Sequence, residues 1–341
     1  MISLILAAAA HVIVAPVPKD ATFGDWTVAC DNVRHCEGFA LPPADDSERS
    51  WLLYLSRRAA GAAAPTVEAY PAYSDGDGVP ARLRIDGRDT PFRFDGNGRA
   101  QGDGAALLAA VAAARKVEAV DGSGKVLATI PVTGASAALR WIDDRQKRVG
   151  TVVAIVAKGT GPASAVPPPP PLPRISQPPV SKAPPRKLRR ADGQAVQLRF
   201  GHGWCDAERS SEVATYRLDA KHTLGIVGCM MGAYQGASVV IVIDEMGNWN
   251  PAQVEQARSD GTDADNSGSI ITEASYDPKT RLLGMFAKGR GLTDCGASAT
   301  WAWDGTMFRL ASYQALDPCL GAPPGMWLSR WQTANDPLKD E

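Results

Sequence analysis

The sequence predicts a mainly β protein in two halves, and three observations carry that prediction. Apolar and polar residues alternate over short runs, as they do in half-buried strands. Gly, Asp and Asn clusters separate those runs at the regular spacing of a meander, a sandwich or a partly closed barrel. Residues 159–188 hold 11 of the chain's 26 prolines, which divides the chain into an N-terminal and a C-terminal half. Proline gives no N–H to a ladder and fixes φ, so this stretch is expected to run as an extended polyproline II linker. The expected layout is a signal peptide over 1–18, a β-rich domain with one or two helices over 19–158 and the linker over 159–188. An all-β domain over 189–333 and a tail over 334–341 complete it.

The run MISLILAAAAHVIVA at the start has the apolar core and small residues of a secretory signal, although no Lys or Arg precedes it. The same run would also serve as a first buried strand or helix. FGDWTVAC (23–30) alternates as a half-buried strand, and Asp31-Asn32 begins a turn that returns the chain to Cys36. Further strands are expected at 51–57 and 65–73, and Asp86-Gly87 marks a hairpin inside 81–94. The Ala- and Leu-rich stretch after Gly104 predicts a helix over 105–116. Lys125 to Gly134 reads as a strand, and Ala138, Leu139 and Ile142 have the spacing of a second helix over 135–144. The run 151–157 reads as a last strand or an extension into the linker. In the second half, strands are expected at 196–200, 212–218, 223–229, 238–244, 269–277, 282–289, 299–304 and 307–315. Asp304-Gly305 is the strongest hairpin signal among them.

A chain of 341 residues suits two domains of roughly 100–200 residues each. Its net charge of −1 argues against a nucleic-acid binder, which would carry a basic excess. No run approaches the roughly 18 apolar residues of a membrane span. Two cysteines precede the proline-rich stretch and four come after it, as disulfides within each half require. Six cysteines permit many pairings; the sequential set, Cys30–Cys36, Cys205–Cys229 and Cys295–Cys319, is the expected one. Disulfides place the chain in an oxidising compartment, in keeping with its signal-like start. No CxxC occurs and the histidines are scattered, against a zinc site.

Four features could carry chemistry. Asp263, Asp265 and Ser267, with Gly268 at the turn, resemble the opening of a calcium loop, but position 12 is Ala274 and Glu273 falls one place short. Otherwise no cofactor is expected, and the competing reading is a solvated acidic loop. Three Gly-Ala-Ser triplets (134–136, 236–238, 296–298) lack the second glycine of a nucleophile elbow. Of the histidines, only His202 and His222 stand where they could serve a serine of the second domain. Trp301 and Trp303 fall on one face of a strand; exposed, they would form a stacking platform for a ligand, and buried, they are core. The basic run Lys182 to Arg190 is a solvated linker end or a contact for anionic lipid.

FGDWTVACDN (23–32), ALRWIDDRQKRVGT (138–151), Gly228-Cys229 with GAYQ (232–235), and CGASATWAWDGTMFRL (295–310) together resemble the bacterial domain-of-unknown-function family 1176. The opening strand with its paired cysteines is also similar to the invasion-associated locus B family of exported proteins. The first resemblance implies export to the periplasm of a Gram-negative bacterium and supplies no catalytic residue. The expectation is therefore a non-enzymatic periplasmic binding or envelope-maintenance protein, whose partner is an envelope component or another protein. The alternative is an envelope hydrolase using carboxylates of the second domain such as Asp206, Glu208, Asp244 and Glu245.

Overall fold

The computed structural model describes residues 14–42, 51–72, 80–201, 203–206, 212–258 and 269–336. The chain is mainly β, as its alternation predicts. It begins with β1 (Val14–Pro16), whose partner strand belongs to the C-terminal half. Next comes an antiparallel meander, with strand order matching sequence order: β2 (Ala21–Phe23), β3 (Trp26–Cys30), β4 (Cys36–Ala40), β5 (Trp51–Arg57) and β6 (Thr66–Pro71). The second sheet contains β7 (Arg82–Ile85), β8 (Arg88–Phe94), β9 (Ala100–Gln101), β10 (Val117–Val120) and β11 (Val126–Ile130), in the order β11-β10-β7-β8-β9. Asp86 and Gly87 turn β7 into β8 with φ of 48° and 79°, the two positive values that a tight hairpin needs.

α1 (Gly104–Ala113) starts on Asp103, whose carboxylate accepts the Ala105 and Ala106 N–H groups. It ends three residues short of the predicted Lys116. The Arg115 and Lys116 N–H groups bond to Asp86 Oδ1 instead, at 3.0 and 2.9 Å. α2 (Ala135–Arg145) lays Ala138, Leu139 and Ile142 into the core, as its spacing predicts. That core also takes Trp26, Leu53 and Leu55 from the first sheet and Leu83 and Val117 from the second.

A polar network is buried beyond α2. Asp143 is 0 % exposed, and its two oxygens accept the N–H groups of Ile155, Val156 and Ala157 at 2.8, 2.9 and 3.0 Å. Arg57 Nη1 lies 3.6 Å from Asp143 Oδ1. Burial, reinforced by the charge of Arg148, lowers the Arg57 guanidinium to about 10, against the pull of Asp143. Arg148 donates to the carbonyls of Arg58, Ala60 and Gly61 and to Gln146. The run 151–157 therefore forms no strand: the N–H groups of Ile155, Val156 and Ala157 find a carboxylate where a strand would need a neighbouring ladder.

The second half opens with α3 (Arg190–Phe200), where alternation predicts a strand over 196–200. The Arg189 N–H donates to the Asp192 carboxylate at 2.7 Å, closing the first turn. Gly193 lets the helix settle on the sheet, since a Cβ there would come within 2.8 Å of Val213. The first sheet of this half runs β12 (Val213–Arg217), β13 (Thr223–Met231), β14 (Gly236–Ile243) and β15 (Trp249–Pro251). β16 (Gln256–Arg258) pairs in parallel with β1, and β17 (Ile270–Thr272) pairs with β14. The last sheet is an antiparallel meander of β18 (Ser275–Asp277), β19 (Leu282–Lys288), β20 (Gly296–Trp303), β21 (Phe308–Leu316) and β22 (Leu328–Gln332). No sheet closes into a barrel among the described residues. Side chains of both sheets share a core, among them Leu224, Val240, Leu283, Phe308 and Leu310. α3 covers the outer face of the first sheet, with Val196 against Val227 and Ile241. All three sequential disulfides are present.

The halves are not separated by a free spacer. Phe39, Leu41 and Leu52 of the first half and Leu316, Trp327 and Leu328 of the second form one buried cluster. The proline-rich chain lies against both halves. Proline lacks an N–H but keeps its carbonyl, and arginines supply the donors. Arg34 reaches Pro168 O, Arg281 reaches Pro178 O at 2.6 Å, and Arg217 reaches Pro184 O. Asn335 brackets Ile175, accepting its N–H at 2.7 Å and donating to its carbonyl at 2.8 Å.

Candidate functional site

The hairpin β3–β4 sets the geometry of a cleft between the halves. Cys30 and Cys36 lie directly opposite each other and are bridged. Between them, Asp31 Oδ1 accepts the N–H groups of Val33 and His35, both at 2.9 Å. This stapled turn presents His35 and Glu37. Register does the rest, because opposed residues share a sheet face. Glu37 opposes Ser56, Tyr54 opposes Glu68, and Leu52 opposes Tyr70. One face of the first sheet is thus polar at one end and apolar at the other. The apolar end is covered by the C-terminal half, and the polar end stays open.

The cleft is about 510 Å³. On one side stand His35, Glu37, Tyr54, Ser56, Glu68 and Tyr70; on the other, Gln314 and the turn from Pro323 to Trp327. Trp327 is buried and stacks on Phe286, with ring centroids 4.7 Å apart. A second disulfide, Cys295–Cys319, fixes the chain leading to that turn. Asp294 reinforces it, accepting the Gly321 N–H at 2.8 Å and pairing with Arg290, which also donates to Cys319 O. Burial works to raise the Asp294 carboxyl, but these bonds outweigh it and hold it below the ordinary carboxylate range.

Glu37 joins the two halves at the rim. Its carboxylate accepts the Tyr54 hydroxyl at 2.6 Å and the Ser329 N–H at 2.6 Å. Burial, and then the charge of Glu37, raise the Tyr54 phenol far above its ordinary value, so it stays a neutral donor. Glu68 accepts the Tyr70 hydroxyl and Arg99 Nε. His35 Nε2 lies 2.8 Å from Ser56 Oγ and 3.8 Å from Glu37 Oε1. Serine and acid meet the same ring nitrogen, whereas nucleophilic catalysis needs the histidine between them. The wall is a field of fixed hydroxyl, carboxylate, imidazole and amide groups beside aromatic rings.

Asp31 carries a pH prediction. It is buried against β22, where Gln332 Nε2 donates to its Oδ2. Burial raises its pKa above the ordinary 3.8, opposed by His35 and the hydrogen bonds to it. A carboxyl raised on folding takes up protons in the folded state first, so its ionisation lowers stability as pH rises from about 3.8 through the folded value. Asp31→Asn keeps an acceptor and removes that charge. The expected result is a melting-temperature advantage of wild type over the variant that shrinks as pH is raised through this window.

The residues singled out in the sequence fall elsewhere. Trp301 and Trp303 share a face, but they are 5 % and 3 % exposed and lie in the core of the C-terminal half. They form no platform: Trp301 Nε1 donates to Glu255 O at 2.8 Å and Trp303 Nε1 to Asp219 Oδ2 at 2.7 Å. His222 Nδ1 meets the same carboxylate at 2.8 Å. Burial works to raise Asp219, yet the bonds from Trp303, His222 and the Lys221 and His222 N–H groups leave it lowered. His222 therefore serves the β12–β13 turn. Asp263, Asp265 and Ser267 of the calcium loop, His202 and Glu208 lie outside the described residues. Glu273, one place short of that loop's closing position, accepts the Gly236 N–H. Among the described residues, no three His, Cys, Asp or Glu side chains are grouped as metal ligands.

Of the second-half carboxylates among the described residues, Asp206 donates its N–H to Cys229 O, Asp244 accepts the Asn248 N–H at 2.8 Å, and Glu245 Oε1 lies 3.6 Å from Lys221. The Gly-Ala-Ser triplets fall at the start of α2, in β14 and in β20. Gly134 is needed for approach, since a Cβ there would sit 1.8 Å from Phe23 O and its φ is +88°. In the basic run, Arg186 donates to Glu245 O and Arg189 pairs with Asp192 at 3.2 Å. None of the cleft residues stands out in the sequence as a candidate. The alternation in WLLYLSR and TVEAYP is the available signal, because it puts Tyr54, Glu68 and Tyr70 on one face.

The family model described as "Protein of unknown function (DUF1176)" matches residues 20–334. The chain is similar to the uncharacterized protein YpfG of Escherichia coli (strain K12), at 28 % identity over 92 % of this chain and 94 % of that one. No solved structure matches.

Proposed function

Because the chain belongs to the DUF1176 family of proteins of unknown function, its role must be read from its own residues, and we propose that it is a periplasmic binding protein. Its ligand would be a hydroxyl-rich molecule, such as a short envelope glycan, held in the cleft between the halves. The observation that carries this reading is the cleft itself. Its volume of about 510 Å³ suits a ligand of two or three sugar rings, within the roughly 300–1,000 Å³ usual for such sites. Carboxylates accept sugar hydroxyls, Gln314 and Ser56 exchange hydrogen bonds with them, and the Tyr54 and Tyr70 rings offer apolar faces.

Three disulfides and the signal-like start support an oxidising, extracytoplasmic compartment. In this proposal the role is binding without catalysis.

The test is calorimetric titration with oligomers of N-acetylglucosamine. Wild type is expected to bind, and Glu68→Gln with Tyr70→Phe to weaken binding at least tenfold while leaving melting temperature nearly unchanged. Equal binding by the double variant would remove the cleft from consideration. Steady release of reducing ends from the same oligomers would replace binding with hydrolysis.

A further inference from the structure

β12 is the outer strand of its sheet, with β13 its sole strand partner among the described residues. The Gly228 N–H donates to Glu212 O at 2.9 Å and the Leu218 N–H to His222 O at 3.0 Å. Bonded and non-bonded pairs alternate along an antiparallel ladder, so Ala214 and Tyr216 also face β13. Val213, Thr215 and Arg217 turn their N–H and C=O groups the other way, where no backbone group among the described residues bonds to them. Edge strands are usually blunted by proline, lysine or a bulge. β12, with the sequence VATYR, has none of the three and is half-buried along its whole length.

Two hollows flank this edge, and Tyr216 and Tyr276, with ring centroids 5.0 Å apart, line both. The larger, about 650 Å³, takes in the start of β12 and the exposed Met230 and Met231. A bulge at Cys229 sets those methionines opposite Ala237 and Gly236. Its charged groups are Glu212 and Glu273, and no basic side chain lines it. The smaller, about 230 Å³, takes in the end of β12. Arg217 and Arg281 charge it, and no acidic side chain lines it. These guanidiniums donate to the proline-rich segment, Arg217 to Pro184 O and Arg281 to Pro178 O. Neutral carbonyls hold them without cancelling their charge, which stays open to a carboxylate. The edge thus runs from an acidic end, past two aromatic rings, to a basic end.

We infer that the edge of β12 binds a short extended peptide, added to the sheet as a strand parallel to β12. The amino end of the peptide lies at Glu212 and Glu273, and its free carboxylate at Arg217 and Arg281. Charge sets this direction, and the outward groups of Val213, Thr215 and Arg217 supply the ladder, with the hollows receiving side chains. From Glu212 to Arg217 the edge spans about 17 Å at roughly 3.3 Å per residue, which suits about five residues. The site belongs to the C-terminal half and does not depend on a ligand in the cleft between the halves.

Calorimetric titration of the full chain with the free-ended peptide Lys-Val-Thr-Val-Ala tests this. Wild type is expected to bind it. Amidating the carboxyl end of the peptide, or methylating its central backbone nitrogens, is expected to weaken binding at least tenfold. Glu212→Gln should weaken the free-ended peptide several-fold. Thr215→Pro removes one outward N–H where an edge strand tolerates proline, and is expected to abolish binding with little change in melting temperature. The methylated peptide leaves the protein untouched, so it decides the ladder even if Thr215→Pro melts early. Full binding of that peptide would overturn strand addition, and full binding of the amidated one would overturn the assigned direction. No binding of the free-ended peptide would overturn the site. Dimers in sedimentation that Thr215→Pro separates would give the edge to a second copy of the chain and overturn the peptide with it.

Discussion

Asp143→Ala is expected to cost about 3–5 kcal/mol of stability, the range for breaking a buried ion pair by removing one partner. Three N–H groups, those of Ile155, Val156 and Ala157, lose their acceptor at a carboxylate that is 0 % exposed. Each buried donor left unmade costs about 1–3 kcal/mol, with relaxation recovering part. Arg57 loses its counter-charge while Arg148 stays close, which deepens the penalty already visible in its lowered pKa. The comparison is Asp89→Ala. Asp89 also holds two arginines, Arg82 and Arg84, but it does so in solvent, where screening leaves such pairs contributing little. Denaturant melts of the two variants make the measurement. A loss below about 1 kcal/mol for Asp143→Ala would show that 155–157 finds other acceptors.

The same network shows what is legible in the sequence. ALRWIDDRQKRVGT carries a family resemblance and predicts its helix, because Ala138, Leu139 and Ile142 repeat at helical spacing. The role of Asp143, Gln146 and Arg148 is not legible, since each binds backbone far away in sequence. Gln146 donates to the carbonyls of Arg34 and Arg57, for example. Side chain to backbone bonds leave no mark in periodicity. Of the two readings of 151–157, a last strand or an extension into the linker, the strand fails for that reason, and the strand over 196–200 fails because alternation in VQLRF also fits the end of a helix. The candidate site is hidden in a different way. Trp301 and Trp303 draw notice by size, but large apolar side chains mostly mark core. The cleft is made of ordinary residues on β4, β5 and β6, and only the docking of the C-terminal half turns that sheet face into a wall.

That docking makes Trp327→Ala the second large expected effect, at about 3–5 kcal/mol for truncating a buried tryptophan. Trp327 touches Phe286 by stacking and belongs to the cluster that Phe39 and Leu52 share with Leu328. It also floors the cleft beside Glu37 and Ser329. Its indole N–H has no acceptor among the described residues, so its contribution is contact area. Trp327→Phe should therefore retain most of the stability, and Trp204→Ala, at an indole 69 % exposed, should fall within about 0.5 kcal/mol of wild type. Truncating Trp327 removes the cleft floor and loosens one half from the other together. The expected melt of Trp327→Ala has two transitions, one for each half. A single transition at the wild-type temperature would show that the halves hold together through the proline-rich segment and β1 without this cluster. The cleft would then be a consequence of those tethers, among them the contact of Arg34 with the Pro168 carbonyl.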